Sequence, residues 1–446
     1  MDWLKSTHPP RLDKCDRETL FDYFENSWEL EEILMKSLIW DETFYVNPDA
    51  LRNPLIFYLG HSPVFYINKL VRVGLLDKRI NPDYEILFEM GVDPTTPAEL
   101  NQAMADVPWP QVEDVWRYRE KAKAEVTDLI HNTPLNLPIN QNHPLWALIM
   151  GMEHNRIHFE TSSMLIRQLP VDRLERPDSW QYATSDGKVY ANKMIQIAGG
   201  VAQLGKPKDA PTYGWDSEYG SKTVEVKPFL ASQYLITNGE FLKFVAENGY
   251  DNREFWDEES WSWKSEYNIK HPKFWIPSNG SYKYRAMFDE IDLPIDWPVE
   301  VNHNEAMAYC RWQGKGVRLM SEAEWHVAAA HCEDEQEFNL HVKYGSPTPV
   351  GSLETAKSPA GLYDIRGNVW EWLWEWLSDE FKPLPGFKPH FLYEDYSAPF
   401  FDTQHQVMRG GAWASTGTYA SASCRNWFRR NFYQHAGFRI AQNLEE

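Results

Sequence analysis

His154 and His158 stand four residues apart in the run Gly151-Met152-Glu153-His154-Asn155-Arg156-Ile157-His158-Phe159-Glu160. On an α-helix such a pair lies on one face, one residue above the other. The two imidazoles can then reach one metal ion. The flanks read as helix. Pro144 suits a first turn, Leu145, Trp146, Leu148, Ile149 and Met152 lead in, and Met164 and Leu165 lead out before Pro170. Glu160 lies two positions past His158, about 200° further round the helix. It is expected to point away from the imidazoles, as a supporting or surface residue and not a ligand. On the pair alone, two core or surface histidines read equally well. A metal needs a third ligand from elsewhere in the chain.

Composition narrows the partners. The chain of 446 residues is long enough for two or three domains. With 65 acidic and 44 basic residues its formal net charge is -21. A field of that sign repels nucleic acid and anionic membrane, so neither is expected as a partner. Cys15, Cys310, Cys332 and Cys424 are far apart and form neither a CxxC pair nor a disulfide framework. Met1-Asp2-Trp3-Leu4-Lys5 does not read as a signal peptide, and no apolar run has the length of a membrane span. The expectation is a soluble, cytoplasmic protein.

Residues 16 to 45 read as helical, with Asp16 as a cap and Leu20, Phe21, Phe24, Trp28, Ile33 and Leu34 at helical intervals. Between Leu55 and Ile67 an apolar stretch contains one histidine, His61. A lone buried imidazole is most often bonded to a carbonyl or hydroxyl. Here a metal-spaced pair awaits a third ligand in the same bundle, which raises His61 above His131 and His143, both read as loop residues. The segment from Lys69 to Arg72, with Arg79, Asn81 and Pro82, is either a solvated helix end or a source of a cation for a substrate carboxylate. Residues 111 to 131 form another charged helix. These make a bundle of about four helices, in which inward metal ligands are a known arrangement. Residues 171 to 192 read as a linker. Beyond it lie short β-type runs such as Thr223-Val224-Glu225-Val226, and two helical islands at 238 to 247 and 303 to 312.

The second half carries ordered landmarks: Ser232-Gln233-Tyr234-Leu235-Ile236-Thr237-Asn238, Trp297-Pro298-Val299, Val317-Arg318-Leu319-Met320-Ser321-Glu322-Ala323-Glu324-Trp325, Gly361 through Trp372, Arg409-Gly410-Gly411-Ala412-Trp413 and Gly437-Phe438-Arg439. In this order they resemble the formylglycine-generating, or sulfatase-modifying, fold over roughly residues 193 to 442. Fold alone does not assign function. The oxidase of that name holds copper with two cysteines of its C-terminal segment, whereas this segment has only Cys424. Joined to a bundle with HxxxHxE, the domain instead resembles the non-haem iron sulfoxide synthases. The stretches Pro54 to His61, Arg79 to Pro82, Gly151 to Gln168, Gly249-Tyr250, Trp256 to Glu259 and Phe432 to Arg439 are similar to 5-histidylcysteine sulfoxide synthases of ovothiol biosynthesis, relatives of the ergothioneine enzymes. The implied fold is α+β. It comprises a DinB-like four-helix bundle over 1–178 and a formylglycine-generating-enzyme, C-type-lectin-like domain over 179–446 that completes the substrate pocket.

The resemblance implies Fe(II) held by His61, His154 and His158. It implies that dioxygen, cysteine and histidine react to join sulfur to the imidazole ring, with sulfoxidation. Hercynine as acceptor is the alternative, as is a thiol dioxygenase making cysteine sulfinic acid. A non-enzymatic binding protein is the third reading. Many ovothiol enzymes carry a C-terminal methyltransferase domain that this sequence lacks, so a separate methyltransferase and a separate lyase are expected downstream. The family's active-site tyrosine maps onto Asn426, with Tyr433 a nearby phenol. Arg79, Arg425 and Arg429 are the candidate carboxylate partners, Asn81 accompanies Arg79, and Trp413 and Trp427 are candidate pocket walls. For each arginine a structural salt bridge is an equal reading, and for each tryptophan core packing is.

Overall fold

The structure is a computed structural model, and it describes residues 5–89, 91, 94, 96–332, 336–374 and 381–444. The reading of Met1 to Leu4 as lacking a leader falls outside the described residues. The chain divides into two units. The first comprises Met1–Trp180 with Asp209–Tyr213 and Met287–Asp289, and the second comprises the remainder.

The first unit is helical: α1 (Arg17–Met35), α2 (Leu55–Arg72), α3 (Pro82–Leu87), α4 (Pro97–Met104), α5 (Val112–Asn132) and α6 (Trp146–Ile166). Asp16 caps α1, accepting from the Thr19 amide at 2.8 Å. Leu20, Phe24, Trp28, Leu34 and Met35 then form its buried stripe. The four long helices pack as a ring, α6 between α1 and α2, and α5 against α2 and α1. α2 and α6 are buried on almost every side. Their close approach is set by Gly151, where a Cβ would lie 2.4 Å from the Tyr66 ring. That approach brings the middle of α2 against the middle of α6, where the histidines are.

Three local expectations are corrected here. The helix from residue 16 ends at Met35, and Asp41–Tyr45 is a separate 3-10 turn. His131 is not a loop residue but sits in the last turn of α5, its ring 4.9 Å from that of Phe21. The second half contains two helices beyond the two islands.

The second unit holds α7 (Asn238–Ala246), α8 (Glu258–Glu266), α9 (His303–Gln313) and α10 (Glu322–Ala328). Reciprocal Thr237/Glu240, Asn302/Glu305 and Ser321/Glu324 capping boxes start α7, α9 and α10. The strands are short: β1 (Met194–Ile197), β2 (Gly200–Leu204), β3 (Lys222–Val226), β4 (Phe229–Ser232), β5 (Trp275–Ser278), β6 (Ser281–Arg285), β7 (Glu290–Asp292), β8 (Val317–Arg318), β9 (Trp370–Trp372), β10 (His405–Arg409), β11 (Asn426–Arg429), β12 (Ala436–Gly437) and β13 (Ala441–Asn443). One sheet runs β1-β4-β13-β8 and another β11-β10-β9-β12, with a three-stranded β5-β6-β7 sheet and a β2-β3 pair. The last strand, β13, pairs antiparallel with both β4 and β8, so it lies inside a sheet and not at its edge. Trp275, Trp297, Trp325, Trp370, Trp372 and Trp413 are all fully buried. Large aromatic volumes thus fill a core that such short strands could not supply with aliphatic side chains alone.

Candidate metal centre

α2 carries His61, and α6 carries His154 and His158. The four-residue spacing stacks the α6 pair, leaving their Nε2 atoms 3.1 Å apart. The His61 ring centroid lies 4.9 Å from that of His154 and 4.6 Å from that of His158. One ligand nitrogen from each of the three falls within 4.8 Å of the others. Two nitrogens each about 2.1 Å from one ion and at right angles would be about 3.0 Å apart, so the α6 pair is spaced as two ligands of a single ion. No other such group of three His, Cys, Asp or Glu occurs among the described residues.

The chemistry of the donors fits the same conclusion. His61 Nδ1 is 2.6 Å from the Phe88 carbonyl oxygen. A carbonyl only accepts, so Nδ1 carries the proton and Nε2 keeps a lone pair suited to a metal. Burial lowers the His61 pKa to about 4 and holds those of His154 and His158 well below the ordinary 6.5. All three are therefore neutral near neutral pH, the form in which an imidazole can bind a metal. Three imidazoles without a carboxylate suit a first-row transition ion and do not suit magnesium or calcium.

Aromatic rings wall the centre. Phe65 stacks on His154 at 3.6 Å, Phe57 on His61 at 4.8 Å, and Tyr58 lies 5.8 Å from His158. Phe57 and Phe65 flank His61 by four residues on either side, so helical spacing could have found them. Phe88 carried no such signal, because it arrives from the far side of the turn after α2. Glu160 is not among the converging ligands, but it is 2% exposed. Its placement on the surface is thus corrected: α6 is buried nearly all round, and the face opposite the histidines also meets protein.

The other candidates are placed as follows. The Arg79 guanidinium donates to Asn68 Oδ1 and lies 3.4 Å from Glu85, which also accepts from the amides of Ile80 and Asn81. Asn81 caps α3 through the Tyr84 amide. Both residues hold the short helix that ends at Phe88, and so bear on the carbonyl that orients His61. Arg425 is buried, its Nε 2.8 Å from Glu322, and it donates to the carbonyls of Ser217 and Lys382. This is a structural ion pair inside the second unit, and the expectation of a carboxylate partner there is withdrawn. Arg429 donates to Gln404. Trp427 stacks on Phe381 at 4.1 Å and 9°, and Trp413 meets His435 at 4.7 Å. Asn426 opens β11 opposite Met408; its Oδ1 accepts from the Trp427 amide at 2.9 Å. The half-buried Tyr433 packs 6.4 Å from Phe274, under the Lys273 ammonium.

Residues 181–444 match the model of the sulfatase-modifying factor enzyme 1-like domain, and the chain belongs to that family. Among curated proteins it is similar to a hercynine oxygenase of Mycolicibacterium smegmatis, 27% identical over 96% of this chain and 99% of that one. It is also similar to ergothioneine biosynthesis protein 1 of Neurospora crassa, at 26% identity over 95% of this chain and 57% of that protein. A hercynine oxygenase of Mycobacterium tuberculosis is 33% identical over 51% of this chain and 56% of its own length. The chain thus spans little more than half of two of these relatives and nearly all of the third. No described helix is long and apolar enough to cross a membrane.

Proposed function

We propose that the chain is an oxygen-dependent, non-haem iron(II) sulfoxide synthase that joins the sulfur of cysteine, or of a cysteine-containing peptide, to the imidazole of histidine or its betaine hercynine. The observation that carries this is the convergence of three neutral imidazoles, two of them buried and one partly buried, within 4.8 Å. A chain similar to hercynine oxygenases over most of its length supports it. Thiol, imidazole C–H and dioxygen give the coupled sulfoxide and one water, so the four electrons taken by dioxygen come from forming the C–S and S–O bonds. Bound iron would supply the redox chemistry. The protein's part is to hold it with neutral ligands, to fix the His61 ring through Phe88, and to exclude water with Phe57, Tyr58 and Phe65.

Histidine as acceptor is supported by the likeness of the His61 and Phe432 to Arg439 stretches to ovothiol enzymes. Hercynine is supported by the names of the relatives. Offering cysteine with both acceptors in competition, under air with iron(II), and weighing the products by mass spectrometry decides between them. An iron-loaded protein that yields no coupled product with either acceptor would overturn the proposal.

A second reading, thiol dioxygenation to cysteine sulfinic acid, is favoured by Asn426 where a phenol is expected. An amide cannot serve as a general acid at useful pKa. The ratio of sulfinic acid to sulfoxide is expected to fall in Asn426→Tyr if this position governs proton supply, and in Tyr433→Phe to rise if Tyr433 does. A ratio unchanged in both removes this second reading's link to either residue.

A further inference from the structure

A cavity of about 280 Å³ lies in the second unit, and all of its lining belongs to that unit. The lining runs from exposed residues, Gly205, Ala330 and His331, to buried ones, Glu322, Trp325 and Arg409. It therefore joins solvent to a buried floor. Arg409 ends β10 and is 1% exposed. Its Nη1 reaches the Ser423 carbonyl at 3.2 Å, and its Nη2 reaches the Ala422 carbonyl at 2.6 Å and His326 Nε2 at 3.0 Å. A guanidinium only donates, so this His326 nitrogen accepts. Burial holds His326 down at about 3, so the ring is neutral. Arg409 thus spends its donors mainly on uncharged acceptors.

Its carboxylate partner is shared. Glu322 Oε1 lies 3.5 Å from Arg409 Nη1, but Arg425 grips the same carboxylate more closely, through Nε at 2.8 Å and Nη2 at 3.1 Å. Burial would raise the Glu322 pKa, yet Arg425 and Arg409 bring it down to about 2. The second acid of the lining, Glu218, accepts from the Trp215 amide at 2.8 Å and the Ser423 hydroxyl at 2.6 Å, and Lys206 Nζ lies 3.9 Å from it. Arg409, Arg425 and Lys206 thus face Glu218 and Glu322, a surplus of one positive charge among side chains that are all buried. Two N–H groups of the floor, Arg409 Nε and Trp325 Nε1, are also buried and have no acceptor among the described residues. The guanidinium lies over the Trp325 ring at 4.9 Å, so both donors belong to one spot. Buried donors and a buried surplus charge are both costly. Water can accept from an N–H but does not offset the charge, whereas an anion does both.

We propose that this cavity binds one small organic monoanion, its carboxylate or other oxyanion group against Arg409 and Trp325 and its short apolar body against Leu204 and Leu384, which also line it. A few placed polar groups in an otherwise apolar cavity are the usual make-up of such a site. The site does not depend on the sulfoxide-synthase reading. Preference for the anion over its amide follows, because the neutral isostere leaves the surplus charge unmatched.

The test uses the full chain at constant ionic strength, with butyrate, its uncharged isostere butyramide, and sulfate as an inorganic oxyanion. Cys332 is the reporter: it lines the cavity and is partly buried, whereas Cys15, Cys310 and Cys424 are buried. Its rate of alkylation by N-ethylmaleimide, a neutral reagent, is followed by peptide mass spectrometry and compared in each protein with and without ligand. Butyrate should slow it, and butyramide should need about tenfold more or above for the same effect, the scale of a hydrogen bond to a charged group. Arg409→Gln should abolish the protection, and Arg409→Lys should keep part of it. Ala330→Glu adds a like charge among the exposed lining residues and leaves the buried network intact. It should raise the butyrate concentration needed by about fivefold or more, and it decides the matter if Arg409→Gln does not fold. Should Cys332 resist alkylation, the same series is read as the rise in thermal midpoint that a ligand of the folded chain produces. No effect of butyrate or sulfate at about 50 mM, equal effects of butyrate and butyramide, or an effect unchanged in the folded variants overturns the proposal. Sulfate acting at lower concentration than butyrate overturns the organic body and assigns the site to an inorganic oxyanion.

Discussion

Arg119 Nη1 lies 2.9 Å from the carbonyl oxygen of Leu59, sixty positions away in the chain. Leu59 precedes Pro63 by four residues, and Pro63 sits inside α2 without an N–H to offer that carbonyl. The arginine supplies the missing donor. Its other arm reaches Glu31 at 3.0 Å, and Glu31 also accepts from Ser62 at 2.6 Å. A proline two residues past His61 is thus accommodated, and α2 runs on without a break.

Replacing Arg119 with Met should therefore be severe. It leaves the Leu59 carbonyl without its donor and a fully buried Glu31 without its cation, and breaking a buried pair costs about 3–5 kcal/mol. Urea unfolding should show a loss of that order, with Arg119→Met plus Glu31→Gln recovering part of it. A loss below about 1 kcal/mol would mean that solvent satisfies both groups.

Metal content separates ligands from neighbours. His154→Ala and His158→Ala should strip most of the iron, and Glu160→Gln should retain most of it. Iron lost from the Glu160 variant to the same extent as from the histidine variants would make the carboxylate a ligand.

Gly60 tests the support behind His61. A Cβ at this position would lie 2.7 Å from the Phe88 ring, and it is the Phe88 carbonyl that fixes the imidazole. Gly60→Ala is expected to cost about 1–3 kcal/mol through overpacking and to weaken metal binding with it. Wild-type metal affinity in a destabilised variant would show that Phe88 can shift without releasing His61.

Two neighbours on α9 have opposite pH dependences. Burial lowers His303 from 6.5 to about 3, so below pH 6.5 the unfolded chain binds a proton that the folded chain refuses. Burial raises Glu305 from 4.5 to about 7, so above pH 4.5 the folded chain keeps a proton that the unfolded chain has lost. Between pH 4.5 and 6.5 the two effects cancel. In Glu305→Gln the His303 effect remains, and stability should rise with pH more steeply than in the wild type by up to about 1.4 kcal/mol per unit. His303→Gln should shift the slope equally in the other direction. Parallel slopes in all three proteins would show that neither group titrates as its burial implies.

Much of the site could be read from one dimension. The spacing of His154 and His158 is a statement about one helix. So are the Asp16 cap and the flanking of His61 by Phe57 and Phe65, because helical phase depends on nearby residues alone. The order of the second-half landmarks likewise announced a family that the domain match bears out. Position in sequence also gave the right helix to His61, but not its orientation. That comes from Phe88, twenty-seven positions away. The partner of Arg425 is Glu322, 103 positions away. In sequence this arginine looked as available for substrate as Arg79 or Arg429. A buried charge or carbonyl takes whichever partner the packing brings within about 3 Å, and spacing along the chain does not encode that choice. The sequence by itself determined the long helices that carry His61, His154 and His158, and the shared face of the α6 pair. The tertiary structure decided which His61 nitrogen meets the Phe88 carbonyl, which carbonyl Arg119 rescues, and which acid Arg425 pairs with.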